Sequence, residues 1–372
     1  MPVLGTDEIR QEGGTAVSEK LRPGVVTGKD YEKLVQACKA GNYALPAVNV
    51  TSSSTVNAVL EAAARNKSDV IIQVSNGGAA FFGGPAYPDG MKGKVLGAVS
   101  LARHVHLMAE GYGVCVVLHT DHANRGLLPW IDGLLEEGAK FRKETGKPLY
   151  TSHMIDLSEE PIEENIETCA IYMEKMAPLD MSLEIELGVT GGEEDGVGTE
   201  HTGADNPKLY TQPEDVALAY KRLSPLGHFS IAASFGNVHG VYKPGNVKLR
   251  PVILKDSQTL ASQRFALAEN ALDLVFHGGS GSSAEEIREA VSYGVFKMNV
   301  DTDLQYAYSE PVGAYVNANQ NAFKAQIDPE TGKPLKSAYD PRKWMRQAEK
   351  GLGEKLDEIF AVLGSNGKTL AS

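Results

Sequence analysis

Eight short runs rich in Val, Ile, Leu and Ala punctuate the chain: Ala44 to Val50, Val70 to Ser75, Val114 to His119, Leu149 to Ile155, Met181 to Leu187, Phe229 to Phe235, Leu272 to Phe276 and Gly294 to Val300. Most are nearly continuous in their apolar character, the pattern of a strand covered on both faces. Between them lie stretches of helical period: Thr55 to Lys67, Val95 to Glu110, Pro161 to Met176, Pro213 to Leu223 and Ala284 to Tyr293. Strands alternating with helices imply right-handed crossovers and a parallel sheet, and eight such units close most naturally as a (β/α)8 TIM barrel. An open doubly wound sheet is the competing arrangement, weakened because no GxGxxG opens the first crossover. Two insertions break the rhythm, Gly188 to Thr211 and Gly240 to Asp256, and loops of that length are usually functional lids or disordered. From about Pro341 to Leu363, Trp344, Ala348, Leu352, Leu356 and Ile359 recur at helical spacing, which predicts a helix packed on the barrel or on a partner.

A length of 372 residues fits two domains or one large α/β barrel, and the eightfold pattern selects the second. The expected division is an N-terminal arm at 1–20 and one barrel at 21–372, with long βα loops and a C-terminal helical extension. The arm carries Asp7, Glu8 and Glu12 and no apolar stretch, so it does not read as a secretory signal. No run approaches the ~18 apolar residues needed to cross a bilayer. The net charge of −12 argues against a nucleic-acid or anionic-membrane partner, so an anionic substrate would need a local positive site. Cys38, Cys115 and Cys169 are odd in number and widely spaced, which indicates neither a disulfide frame nor a cysteine zinc site and fits a reducing, cytoplasmic compartment.

Polar residues cluster where the runs end. Asn49 closes the first and Ser75-Asn76-Gly77-Gly78 the second; His119-Thr120-Asp121-His122 and His153 to Asp156 close the third and fourth. Glu184 and Glu186 lie on the fifth; Asn237-Val238-His239-Gly240, His277-Gly278-Gly279-Ser280-Gly281 and Asn299-Val300-Asp301-Thr302 follow the last three. In a parallel barrel these ends share the rim that holds the active site. His122, His239 and His277 come from three strand ends, and three imidazoles with an open fourth position make a catalytic zinc-type site. Spacing alone does not rank His119, His153 and His201 below them, and Glu186 and Asp156 are alternative ligands. The glycine-rich turn after His277 precedes a helix near Ser283, and the loops after strands seven and eight are the usual phosphate seat of this architecture. Thr190 to Gly196 sets Glu193, Glu194 and Asp195 among glycines, either a solvated acidic loop or a mobile carboxylate for proton transfer.

The phrases LPAVNV, SNGGA, HTDH, SHMIDLSEE, LEIELGVTGGEEDGV, YTQPEDV, ASFGNVHGVYKPGN, VFHGGSGS, YGVFKMNVDTD and YDPRKW, in this order, resemble the class II, metal-dependent fructose-1,6-bisphosphate aldolases of subgroup A, from about Arg22 onward. The resemblance implies zinc on His122, His239 and His277, with Glu186 and Asp156 near alternative metal positions, and proton transfer by Asp121 and Glu194. It implies a monovalent cation, Na+ or K+, on the backbones of Val238, Gly240 and Gly278. Dihydroxyacetone phosphate would sit on Gly240, Gly278, Gly279, Ser280, Asn299, Val300, Asp301 and Thr302, with Asn49 and Ser75 on the sugar side. Arg342 would take the distal phosphate, and a homodimer is the subgroup habit.

Rival readings differ in chemistry. Lys297 is two residues before Asn299 and shares its face, so a Schiff-base aldolase is one; a deep structural lysine paired with a carboxylate is the plainer account. A zinc barrel hydrolase, a tagatose-1,6-bisphosphate aldolase and a non-enzymatic binding protein are the others.

Overall fold

In the computed structural model, residues 20–194, 197–199, 209–239, 249–279 and 281–372 are described, with the backbone alone for 191–194, 197–199 and 239. The N-terminal arm expected at 1–20 therefore lies almost wholly outside the described residues. The eight barrel strands are, in chain order, Leu45–Asn49, Val70–Val74, Cys115–Ala123, Ser152–Ile155, Ser182–Leu187, Phe229–Ala233, Leu274–Phe276 and Val295–Val300. Each pairs in parallel with its neighbours, and the eighth closes on the first through Lys297↔Leu45 and Asn299↔Ala47. The sheet is a closed (β/α)8 barrel, as the alternation of runs predicts.

Partners in register point to one face of a sheet, so the interior can be traced strand by strand. Ala47, Ile71 and Val117 form an apolar stretch of it, and Asn49, Gln73, His119 and Ser152 stand one step nearer the mouth. On the far wall Glu186 is level with Ala232, and Val275 with Lys297. The outward residues, among them Val48, Ile72, Leu118, Leu183, Ile185 and Val300, belong to the larger apolar core. That core lies under the helices, which is why the strands read as continuous apolar runs although their inner faces turn polar toward one end.

Helices Ser53–Asn66, Gly90–Tyr112, Leu128–Thr145, Ile162–Met176, Pro213–Leu223, Val252–Phe265, Ala284–Ser292 and Thr302–Ala318 supply the outer layer. Ser52 and Thr55 cap the first reciprocally, fixing where strand one hands over. Helix Gly28–Ala40 packs Tyr31, Leu34, Val35 and Cys38 with Leu45, Ile71, Val117 and Val275, covering the apolar end of the interior. At that end Asp69 accepts from the backbone of Cys115 and Leu370 and from Thr369 Oγ1, tying the last residues to the barrel.

The C-terminal helix spans Pro341–Leu363, as its spacing predicts, and lies against helices Ser53–Asn66 and Thr302–Ala318. Gly351 permits the contact: an added Cβ would meet Ala307 O at 2.3 Å. Arg65 pairs with Asp357 and Arg346 with Glu61 across it. Two loop expectations need correction. Residues 191–194 form a strand paired with Val197–Thr199 and, in parallel, with Val238–His239. The expected insertion at Gly240 to Asp256 gives way to a helix from Val252, whose apolar face Ile253, Leu254 and Ala261 buries; residues 240–248 lie outside the described set. Among the described residues no helix is long and apolar enough to cross a membrane.

Candidate active site

Asp121 and His122 are consecutive, and strict alternation would send them to opposite faces of the sheet. The pairing of strands three and four steps from Thr120↔His153 to Ala123↔Ile155, so two residues oppose Met154 alone. Such a bulge re-aims side chains, and here both neighbours reach the mouth. His122 Nδ1 lies 2.9 Å from Asp156 Oδ2 and 3.3 Å from Glu186 Oε2, and its ring meets that of His277 edge-on with centroids 4.7 Å apart.

His277 leaves strand seven fully buried. Its carbonyl accepts from Asn237 Nδ2 at 2.8 Å and its Nε2 lies 2.9 Å from Glu184 Oε1. Gly278 follows at φ +60°, and a Cβ there would sit 2.5 Å from Val238 O. Only glycine combines that backbone with that approach, which brings the segment carrying His239 against the one carrying His277. The side chains of His239 and Glu194, like Gly240, Ser280 and His201, lie outside the described residues.

Asp121, His122 and His277 each offer a ligand atom within 4.8 Å of the others, and so do His122, Asp156 and Glu186. Mixed imidazole nitrogen and carboxylate oxygen suit a divalent transition ion better than the all-oxygen shell of magnesium or calcium. The residues present therefore fit a metal.

Asp121 is clamped from three strands: Asn49 and Gln73 donate to Oδ2 at 3.0 and 2.9 Å, and Asn299 donates to Oδ1 at 3.2 Å. Burial pushes its carboxyl up, but the neighbouring His122, Lys297 and His277 and the Asn49 amide outweigh that and hold it below the ordinary range. Asp156 behaves alike: burial raises it, while His122 and the backbone and hydroxyl of Ser158 bring it well below. Glu186 accepts from Thr190 Oγ1 at 2.6 Å.

The other expected residues divide. Lys297 places Nζ 2.8 Å from both oxygens of Glu184, the carboxylate pairing that its depth suggests, and an ammonium so held is no nucleophile. His119 is engaged by Ser152 at Nδ1 and His153 by Thr120, and neither belongs to the two groups of converging ligand atoms. Burial lowers both imidazoles, that of His153 to about 3, so they sit there neutral. Asn299 lies at the centre, its Oδ1 buried with no hydrogen-bond partner among the described residues. Gly279 packs on Met298, and Asp301 precedes helix Thr302–Ala318 directly after Val300. Ser75 accepts from Gly78 N and so caps helix Asn76–Gly83. Arg342 is 88% exposed and held by Asp340 at 2.6 Å, at the start of the C-terminal helix. Helix Ala284–Ser292 is closed by a Ser283–Glu286 capping box, so part of its N-terminus is satisfied by the chain itself.

Sequence reasoning missed Gln73, and it named Thr190 and Asn237 only as members of their segments, without a role. Gln73 carried a signal, being the lone polar residue of the run Val70–Val74. Thr190 and Asn237 sit in loops with nothing to mark which way they turn.

The family model described as class-II fructose-bisphosphate aldolase matches residues 29–368. A fructose-bisphosphate aldolase of Edwardsiella ictaluri is 54% identical over 92% of this chain and 96% of its own. The class 2 fructose-bisphosphate aldolase of Escherichia coli is 54% identical over 93% of this chain and 97% of its own. The crystal structure of fructose-bisphosphate aldolase from Campylobacter jejuni superposes with a TM-score of 0.85 at 52% identity, covering 94% of this chain and 98% of that one. With its closed barrel and its rim of histidines and carboxylates, the chain belongs to the class-II fructose-bisphosphate aldolase family.

Proposed function

We propose that this protein is a lyase that reversibly cleaves fructose 1,6-bisphosphate into dihydroxyacetone phosphate and glyceraldehyde 3-phosphate, as a zinc-dependent cytoplasmic homodimer. The observation that carries the reading is the Asp121 carboxylate, clamped by three amides beside His122 and His277 in the barrel mouth. His122, His239 and His277 hold the zinc ion, with Asp156 and Glu186 as alternative ligands. The bound ion supplies Lewis acidity at the substrate's keto group, worth several kcal/mol of charge stabilisation.

Every other step belongs to the chain. Asp121 is ionised and fixed in direction, so it takes the proton from the C4 hydroxyl as the C3–C4 bond breaks and C4 becomes the aldehyde. The electron pair left on C3 is spread toward the neighbouring carbonyl, and Glu194 delivers a proton to that carbon; in the synthetic direction the two exchange roles. Asn299 has an amide oxygen to accept from a triose hydroxyl while its nitrogen holds Asp121, which couples substrate position to the base. Asn49 and Ser75 face the sugar side. Gly240, Gly278, Gly279, Ser280, Val300, Asp301 and Thr302 would seat the first phosphate, and the backbones of Val238, Gly240 and Gly278 would hold a monovalent cation, whose charge would favour phosphate binding. Arg342, exposed at the start of the C-terminal helix, takes the second phosphate, in its own subunit or across a subunit boundary. Purified protein given fructose 1,6-bisphosphate should release both triose phosphates in equal amounts and faster than it cleaves the tagatose epimer; no triose release sinks the reading.

A further inference from the structure

Beneath the rim lie two ionisable side chains to which the cleavage steps assign neither a proton nor a substrate contact. Glu184 on strand five and Lys297 on strand eight are each 2% exposed, and Lys297 Nζ lies 2.8 Å from both carboxylate oxygens. His119 Nε2 approaches Glu184 Oε2 at 3.7 Å, and His277 Nε2 stands 2.9 Å from Oε1. An apolar pair of equal volume would serve a barrel interior as well or better, because desolvating two charges often outweighs their attraction. The ion pair therefore calls for a role other than stability. Its geometry supplies one. A carboxylate oxygen can only accept, so the hydrogen of the His277 imidazole belongs on Nε2, and Nδ1 is left as the lone-pair nitrogen. Nδ1 faces the mouth, 3.8 Å from Glu186 Oε2. Lys297 grips both oxygens and so fixes the plane of the carboxylate that sets the ring.

We propose that Glu184 and Lys297 are positioning residues: the lysine-held carboxylate fixes the tautomer and rotation of His277 so that Nδ1 is presented as a metal ligand. The proposal rests on His277 being a ligand, as in the function above, but on none of the cleavage steps. Outer partners of this kind are typically worth 10–100-fold in metal affinity.

The test reads metal binding and ring chemistry instead of turnover. Zn2+ affinity, by competition with a chromogenic chelator, is compared between the unaltered protein and the double variant Glu184→Leu/Lys297→Met. That variant removes the acceptor together with the lysine that pairs with it. The expected result is 10–100-fold weaker Zn2+ binding with an unchanged or higher melting temperature; unaltered affinity overturns the proposal. Should the variant fail to fold, long-range proton–nitrogen correlation spectra of the histidine-labelled, metal-free native protein decide. A single Nε2–H tautomer for His277 is expected, and an Nδ1–H form or a mixture overturns it. A protein that binds Zn2+ in this manner yet cleaves no sugar phosphate would refute the function while leaving this inference standing.

Discussion

Asn299 on the eighth barrel strand donates to Asp121 on the third at 3.2 Å, while Asn49 and Gln73 hold the other oxygen of the same carboxylate. Four strands thus meet at one acid, which is buried and yet kept ionised. A side chain fixed in this way loses little entropy when it takes a proton. Asp121→Ala should lower turnover by about 10²–10⁴-fold while the protein still binds zinc. Stopped-flow cleavage with parallel metal analysis measures both, and near-normal turnover contradicts the assignment.

Glu194→Gln separates protonation from binding. Exchange of solvent hydrogen into dihydroxyacetone phosphate, followed by NMR, should slow by at least about 10²-fold, with the triose dissociation constant changed only severalfold. Unchanged exchange removes Glu194 as the acid.

Arg342 is held by Asp340 and is open to solvent. Arg342→Ala should raise KM for the bisphosphate roughly tenfold or more, since a charge-assisted contact is worth about 1.5–3 kcal/mol. Binding of the triose, which lacks the second phosphate, should hardly change. Equal losses for the two ligands argue against a distal-phosphate role.

Gly278→Ala meets both a left-handed backbone, at about 1–2 kcal/mol, and an overlap with Val238 O. The loop must shift, and it carries His277 and the phosphate seat. Circular dichroism melting should show a loss of a few degrees, roughly as expected for a protein of this size, and kcat/KM should fall far more steeply. A variant with native kinetics would mean that the close packing of these two segments has no part in the site.

Much of this was legible in advance because a parallel barrel imposes two simple regularities. Outward faces must be apolar under the helices, so eight runs such as Val70–Val74 announce the strands. Polar residues that follow each run must then share one rim, and Asn49 and Asn299 do meet at Asp121 while His122, Glu186 and His277 lie side by side. Pairing detail was not legible. Nothing in His119-Thr120-Asp121-His122 says that the strand continues to Ala123 or that a bulge turns two neighbours the same way. Nor does spacing reveal that His119 and His153 engage Ser152 and Thr120 through their Nδ1 atoms. Ser75 shows the converse limit: a hydroxyl at a strand end can serve as a helix cap, and only geometry reveals it.

The most direct test is to strip the protein with a chelator, confirm by elemental analysis that zinc is gone, and assay fructose 1,6-bisphosphate cleavage before and after stoichiometric zinc is returned. Activity should vanish on stripping, return with one zinc per subunit, and fail to return in His277→Ala. Sustained cleavage by the metal-free protein would contradict the account.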